Sequence, residues 1–247
     1  TFPFESRFCR IGDARLHYVD EGSGPVLFML HGNPTWSFFY RDLILNLRTD
    51  YRCLALDHLG CGLSDKPQEA EYTLAGHIRR AVGWLESLDL DRFHLVVHDW
   101  GGMIGFAWAV RHSERIARTV VLNTAAFPLP AAKKMPWALS LVRDTALGAL
   151  LVQRFNAFAG IAARVAFKKP VPSEVRQAYT MPYDTAANRI ATLSFVQDIP
   201  LREGDPGFDI LLDTAERLHL LASKPCLIAW GEKDFVFDAP FLDTWLE

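Results

Sequence analysis

Leu95-Val96-Val97-His98-Asp99-Trp100-Gly101-Gly102-Met103-Ile104-Gly105 is the stretch on which the fold turns. Apolar, β-branched residues lead into a polar one, and glycines open the apolar segment that follows. The pattern predicts a strand, a sharp turn and a helix, with Asp99 at the strained corner and small neighbours leaving it room. Gly102 and Gly105 let such a helix pack close to a sheet.

Working outward, the first half of the chain alternates short apolar runs with helical periodicity, which predicts a mostly parallel α/β sheet covered on both faces. Strands are expected at 7–11 and 15–20, as a hairpin around Gly12-Asp13, then at Val26–Leu30, Tyr51–Leu56, His94–Val97 and Thr119–Leu122. Helices are expected near 37–47, 73–88 and 100–112, the second capped by Thr73. From Pro128 the pattern changes: six prolines fall at or before Pro182, aromatics are scattered through helical stretches such as Ala138–Phe158, and no strand-like run occurs. Pro225–Trp230 then reads as another buried strand. The division is therefore a core of 1–127 and 201–247, interrupted by a helical cap of 128–200.

Composition bounds the partners. The 247 residues carry 26 basic and 29 acidic side chains, a net charge of −3, so no positive field draws nucleic acid. Cys9, Cys53, Cys61 and Cys226 stand apart with no CxxC pair, which argues for neither a disulfide framework nor a zinc site and points to a reducing, cytoplasmic compartment. No apolar run is long enough for a transmembrane segment. No His/Cys/Asp cluster has ligand spacing, and no metal or cofactor is expected.

The chemistry follows from the residue at the corner. An aspartate there is either a helix cap or a nucleophile. As a carboxylate, expected to be ionised near neutral pH, it attacks an sp³ carbon without a base and yields an ester of the enzyme. A second loop, His31-Gly32-Asn33-Pro34-Thr35-Trp36, follows the strand Val26–Leu30. The backbone N–H groups of Asn33 and Trp100 are candidates for stabilising an oxyanion. Their side chains, an amide and an indole, add two neutral donors suited to a departing halide or other weakly basic anion.

His31-Gly-Asn-Pro-Thr-Trp36, Asp57-His-Leu-Gly-Cys-Gly-Leu-Ser-Asp65-Lys-Pro67 and Val97-His-Asp-Trp-Gly-Gly102 together resemble the haloalkane dehalogenases of the α/β-hydrolase fold. The resemblance runs over essentially the whole chain. It implies Asp99 as nucleophile, Asn33 and Trp100 as the halide-binding pair, and a catalytic acid after the sixth or the seventh strand. Asn123 cannot be that acid; Asp234, in Gly231-Glu-Lys-Asp-Phe-Val236, occupies the place after the seventh. Stretches such as Phe195-Val-Gln-Asp-Ile-Pro-Leu-Arg202 and Trp230-Gly-Glu-Lys-Asp-Phe-Val-Phe-Asp238 are most similar to the β-lactone decarboxylases of bacterial long-chain olefin biosynthesis. That likeness implies a small apolar substrate and assembly with other enzymes of the olefin pathway. Phe127, Trp137, Phe155, Phe158 and Phe195 are expected to line an apolar substrate pocket.

Hydrolysis of the ester needs a histidine after the acid, and His219, the last of eight, precedes Asp234. The expectation is a fragment lacking a final strand, the histidine loop and a last helix, with a Gly-His about 25–35 residues beyond Glu247, and a piece inactive for turnover by itself. Two alternatives stand. Epoxide hydrolysis would need proton donors such as Tyr179 and Tyr183, and a turnover-deficient binding protein would lack the histidine altogether. Serine chemistry is disfavoured, since Ser64 and Ser113 lie outside the elbow.

Overall fold

The computed structural model describes residues 2–247. Seven strands form one sheet: β1 (Arg7–Ile11), β2 (Ala14–Glu21), β3 (Val26–Leu30), β4 (Arg52–Leu56), β5 (Phe93–Asp99), β6 (Ile116–Thr124) and β7 (Cys226–Ala229). Their order is β1-β2-β4-β3-β5-β6-β7. The hairpin β1/β2 and the pair β2/β4 are antiparallel, and every later pairing is parallel. The mostly parallel sheet read from the sequence is therefore present, with its antiparallel edge at the N-terminal end.

Helices α1 (Arg41–Leu47), α2 (Leu74–Ser87) and α3 (Trp100–Ala109) connect the parallel strands. Thr73 caps α2, its hydroxyl accepting the Gly76 N–H at 3.1 Å. All five residues of β3 are buried, as a strand sandwiched between helix layers requires. Strand alternation splits them: Phe28 and Leu30 join Trp84, Phe93 and Ile104 on one face, while Leu27 and Met29 join Tyr40, Ile44 and Val96 on the other.

Between β6 and β7 the chain is helical: α4 (Trp137–Asp144), α5 (Ala146–Phe155), α6 (Ala157–Val165), α7 (Ser173–Thr180), α8 (Ile190–Gln197) and α9 (Phe208–Arg217). The helical stretch Ala138–Phe158 is broken twice. Thr145 ends α4 and caps α5 by accepting the Gly148 N–H at 3.0 Å, and Asn156, at φ 52°, turns the chain into α6. α8 lies innermost, with Ala191, Thr192, Leu193, Phe195 and Val196 buried, and α4, α5 and α6 pack over it. The last helix, α10 (Ala239–Leu246), follows the loop after β7.

Candidate active site

Asp99 sits where the elbow was expected, between β5 and α3, with φ 51° and ψ −124°. An L-residue holds that conformation only under surrounding constraint. The constraint is visible: a Cβ at Gly101 would run into the carbonyl of Leu30, and one at Gly32 into the Asp99 carboxylate itself. Thr124, at the end of β6, donates its hydroxyl to the Asp99 carbonyl.

The carboxylate is buried, and burial pushes its pKa up to about 7. Backbone N–H groups of Trp100 and Asn33 oppose that rise, the Asn33 bond to Oδ1 measuring 2.7 Å, while the charge of Asp234 adds to it. The ordinary ionisation expected of an aspartate is thus corrected: desolvation holds Asp99 well above the usual carboxylate range. The two amides expected to form an oxyanion hole lie on the carboxylate, that of Asn33 on Oδ1.

Asn33 and Trp100 both border the same cavity as Asp99. The Asn33 amide nitrogen gives one hydrogen to the Thr192 carbonyl of α8 at 3.0 Å, so one hydrogen remains for a ligand. Trp100 is held from behind. Phe195 packs on its indole at 4.9 Å and is itself stacked on the His77 ring at 4.2 Å.

Asp234 lies in the loop after β7, its Oδ1 accepting the N–H groups of Val236 at 2.8 Å and Phe237 at 3.0 Å. Burial raises its pKa, with those two bonds pulling the other way. Sequence reading assigned Asn123 no task beyond ruling it out as the acid, yet its side chain clamps this loop. Oδ1 accepts the Gly231 N–H at 2.7 Å, and Nδ2 donates to the carbonyls of Gly231 at 3.1 Å and Phe237 at 3.3 Å. Asn123→Ala should therefore cost about 2–4 kcal/mol, because it strands buried backbone groups. Urea denaturation checks it, and an unchanged midpoint would remove Asn123 from this role.

The cavity encloses about 120 Å³. Asp99, Asn33 and Trp100 line it, Asn33 in contact with Asp99, and Met103, Phe127, Leu139, Phe158, Phe237 and Phe241 make its walls mostly apolar. Lys133 also borders it but is committed, its ammonium pairing with Asp238 at 2.6 Å and donating to the Phe235 carbonyl at 3.0 Å. Of the five aromatics expected to line a pocket, Phe127 and Phe158 do and three do not. Trp137 is 79% exposed, because Leu139, two positions and roughly 200° further round α4, takes the inward place. Phe155 is 68% exposed, since α5 turns Gly148 and Val152 inward and ends there. Phe195 is fully buried behind Trp100.

None of the eight histidines borders the cavity. His31 bonds the Gly32 carbonyl at 2.8 Å and accepts the His58 N–H at 3.1 Å, and His98 is stacked on Phe39 at 4.1 Å. Burial lowers the pKa of both rings, that of His98 to about 3, so they brace the nucleophile's loops as neutral groups. Asp57 ties the same region together, accepting the N–H groups of Ser37 at 2.6 Å and Leu63 at 2.9 Å and pairing with His17 at 2.8 Å. Tyr179 and Tyr183 also turn away from the cavity. The Tyr179 hydroxyl accepts from Arg41, and that of Tyr183 donates to the Thr35 carbonyl at 3.1 Å.

An aspartate at a strand–elbow–helix corner, a loop after β3 that donates to it and an acid after β7 invite comparison with known proteins. The model for the alpha/beta hydrolase fold matches residues 25–242. The chain belongs to that family. It is 48% identical, over 99% of its length and 78% of the relative's, to a cis-3-alkyl-4-alkyloxetan-2-one decarboxylase of Shewanella oneidensis. It is 32% identical to haloalkane dehalogenase 2 of Mycobacterium bovis, covering 96% of this chain and 80% of that one. Its backbone superposes on the haloalkane dehalogenase DatA from Agrobacterium tumefaciens with a TM-score of 0.87 at 27% identity, covering 98% of this chain and 84% of the other. The likeness to haloalkane dehalogenases read from the three motifs and that to β-lactone decarboxylases read from the later stretches are both confirmed, and these relatives are enzymes.

Proposed function

We propose that the protein is an aspartate-nucleophile enzyme that opens a cis-3,4-dialkyl β-lactone and releases carbon dioxide and a cis-alkene. The observation that carries the reading is the Asp99 carboxylate, its Oδ1 held by the Asn33 amide, lining a mostly apolar cavity together with Asn33 and Trp100. The 48% identity to a decarboxylase of such a lactone, against 32% to a dehalogenase, supports the lactone over the haloalkane. In this reading 128–200 acts as the cap that closes the cavity over the apolar chains. The four cysteines, all unpaired, support a reducing compartment, and with it the cytoplasm.

A carboxylate oxygen of Asp99 attacks C4 of the ring. The C4–O bond breaks, and its electron pair leaves a carboxylate on C3, which the Trp100 indole and the remaining Asn33 hydrogen stabilise. The C3–carboxylate bond then breaks, its electrons form the C3=C4 double bond, and the C4–Asp99 ester bond is expelled. Inversion at C4 followed by anti loss of the two carboxyl groups converts cis ring substituents into a cis-alkene. The aspartate is regenerated and no water is consumed.

The second reading, haloalkane hydrolysis, uses the same first step with halide as leaving group, followed by water attack on the ester with Asp234 orienting a histidine base. Epoxide opening loses its support, since neither tyrosine faces the cavity. A comparison of kcat/KM for a long-chain cis-β-lactone and a 1-bromoalkane of matched length decides between the two. The lactone is expected to be favoured at least tenfold, about 1.4 kcal/mol of transition-state preference, and the reverse ratio would replace it with the haloalkane.

A further inference from the structure

The two aromatics that left the pocket mark another surface. Trp137 and Phe155 are exposed together with Leu147, Leu150, Ile161 and Val165, each more than half accessible. On α5, Leu147, Leu150 and Arg154 fall at helical spacing on one face, opposite the buried Gly148 and Val152. On α6, Ile161, Arg164 and Val165 lie opposite the buried Ala159 and Ala163. Both helices rest on α8, so these faces point away from the protein's interior.

The charge on α5 and α6 has one sign. From Thr145 to Ser173 the chain contains no Asp or Glu, although acidic residues outnumber basic ones over the whole sequence. Lys134, Arg154, Arg164, Lys168 and Lys169 have no carboxylate within ion-pair distance among the described residues. Among those residues, no single helix is long and apolar enough to cross a membrane, and α5 and α6 meet at 75°. Short amphipathic helices, apolar and cationic on the same outer side, lie in an interface instead of spanning it.

We propose that the outer face of α4–α6 seats this protein on an anionic lipid bilayer. Unpaired cations complement acidic headgroups, and Trp137, Phe155 and the leucines enter the headgroup boundary. A second copy fits poorly, because a two-fold contact through this patch would set cation against cation. The wall between bilayer and cavity is one layer thick. Met135, Pro136 and Leu139 border the cavity, while Lys134, Trp137 and Ala138 beside them are exposed. An apolar substrate dissolved in the bilayer would thus be presented to the cavity across that layer. The docking surface stands whether that substrate is a lactone or a haloalkane.

The test is co-sedimentation of the chain with phosphatidylglycerol-containing vesicles and with pure phosphatidylcholine vesicles, at low and high salt. Binding is expected to the anionic vesicles and to fall with salt. The pair K168E/K169E should weaken it by about tenfold or more, and the pair L147S/L150S should do likewise without changing the charge. Circular dichroism melts establish that both variants fold, and single K169E, at an exposed position, serves if the pairs do not. Brominated lipid should quench tryptophan fluorescence in the parent and much less in Trp137→Phe. Indifference to headgroup charge and to both variant classes would overturn the proposal. So would a change of oligomeric state in light scattering caused by the same variants, which would make the patch a protein interface.

Discussion

Asn in place of Asp99 is expected to end formation of the covalent adduct and, at pH 8, to raise the melting temperature. The first effect follows from chemistry. An amide oxygen is too poor a nucleophile to open a lactone or displace a halide, and no second carboxylate borders the cavity. Intact-mass analysis of protein mixed with a 1-bromoalkane should show a single alkyl adduct in the parent and none in Asp99→Asn. Adduct formation in the parent should rise with pH through about 7 and level off above it, because only the ionised carboxylate attacks.

The stability gain follows from linkage. Below the usual aspartate range both the folded and unfolded chains hold the proton, and Asp99 contributes no pH dependence. Between that range and about 7 the unfolded chain releases it while the folded one keeps it, so stability falls as pH rises. Above about 7 the cost is complete, as a charge buried with partial compensation. Asparagine removes the charge but loses part of the acceptor strength offered to Asn33 and Trp100, leaving a net gain of roughly 1–3 kcal/mol. In a domain of this size that is about 3–8 °C. Melts of both proteins at pH 5 and pH 8 measure it. The gap should open with pH, and a gap that closes toward pH 8 would contradict the buried-carboxylate account.

The parallel strands and the elbow were legible because both are local signals. Val26–Leu30 is apolar throughout and ends where its five buried residues end. The glycines after Asp99 read as small neighbours, and the structure gives them carbonyls and side chains to avoid. The placement of Asn33 and Trp100 beside Asp99 was legible for the same reason, each being adjacent in sequence to a loop or strand end that places it. What escaped depends on contacts between segments far apart. Asn123 clamps a loop more than a hundred positions later, and nothing near it in sequence signals that partner. Trp137 and Phe155 carry the composition of a pocket wall, but which side of a short helix faces inward is set by its packing on α8. Likewise, an aspartate reads as an ordinary ionised acid until its burial is known.

Solvent oxygen should separate the two chemistries without ambiguity. In haloalkane hydrolysis, water attacks the carbonyl carbon of the Asp99 ester, so each turnover in H₂¹⁸O leaves a solvent oxygen on the carboxylate that next attacks. In decarboxylation the C4–O(Asp99) bond breaks with its electrons returning to Asp99, both carboxylate oxygens are the original ones, and no water takes part. Mass analysis of the peptide containing Asp99 after many turnovers of a cis-β-lactone is therefore expected to show no ¹⁸O, whereas 1-bromoalkane turnover by a protein that carries the histidine base should label it. Asp234→Asn sharpens the contrast. Because Asp234 is held by the Val236 and Phe237 amides near Asp99, its proposed task in hydrolysis, in a protein that also carries the histidine base, is to orient that base toward water. The substitution should slow release of an alkyl adduct by roughly 10²–10⁴-fold while leaving its formation nearly intact. On the lactone no step awaits that water, so alkene release should fall far less. Label in Asp99 after lactone turnover, or an equal loss of both activities in Asp234→Asn, would mean that the lactone too is opened by a route that passes through a hydrolysed ester.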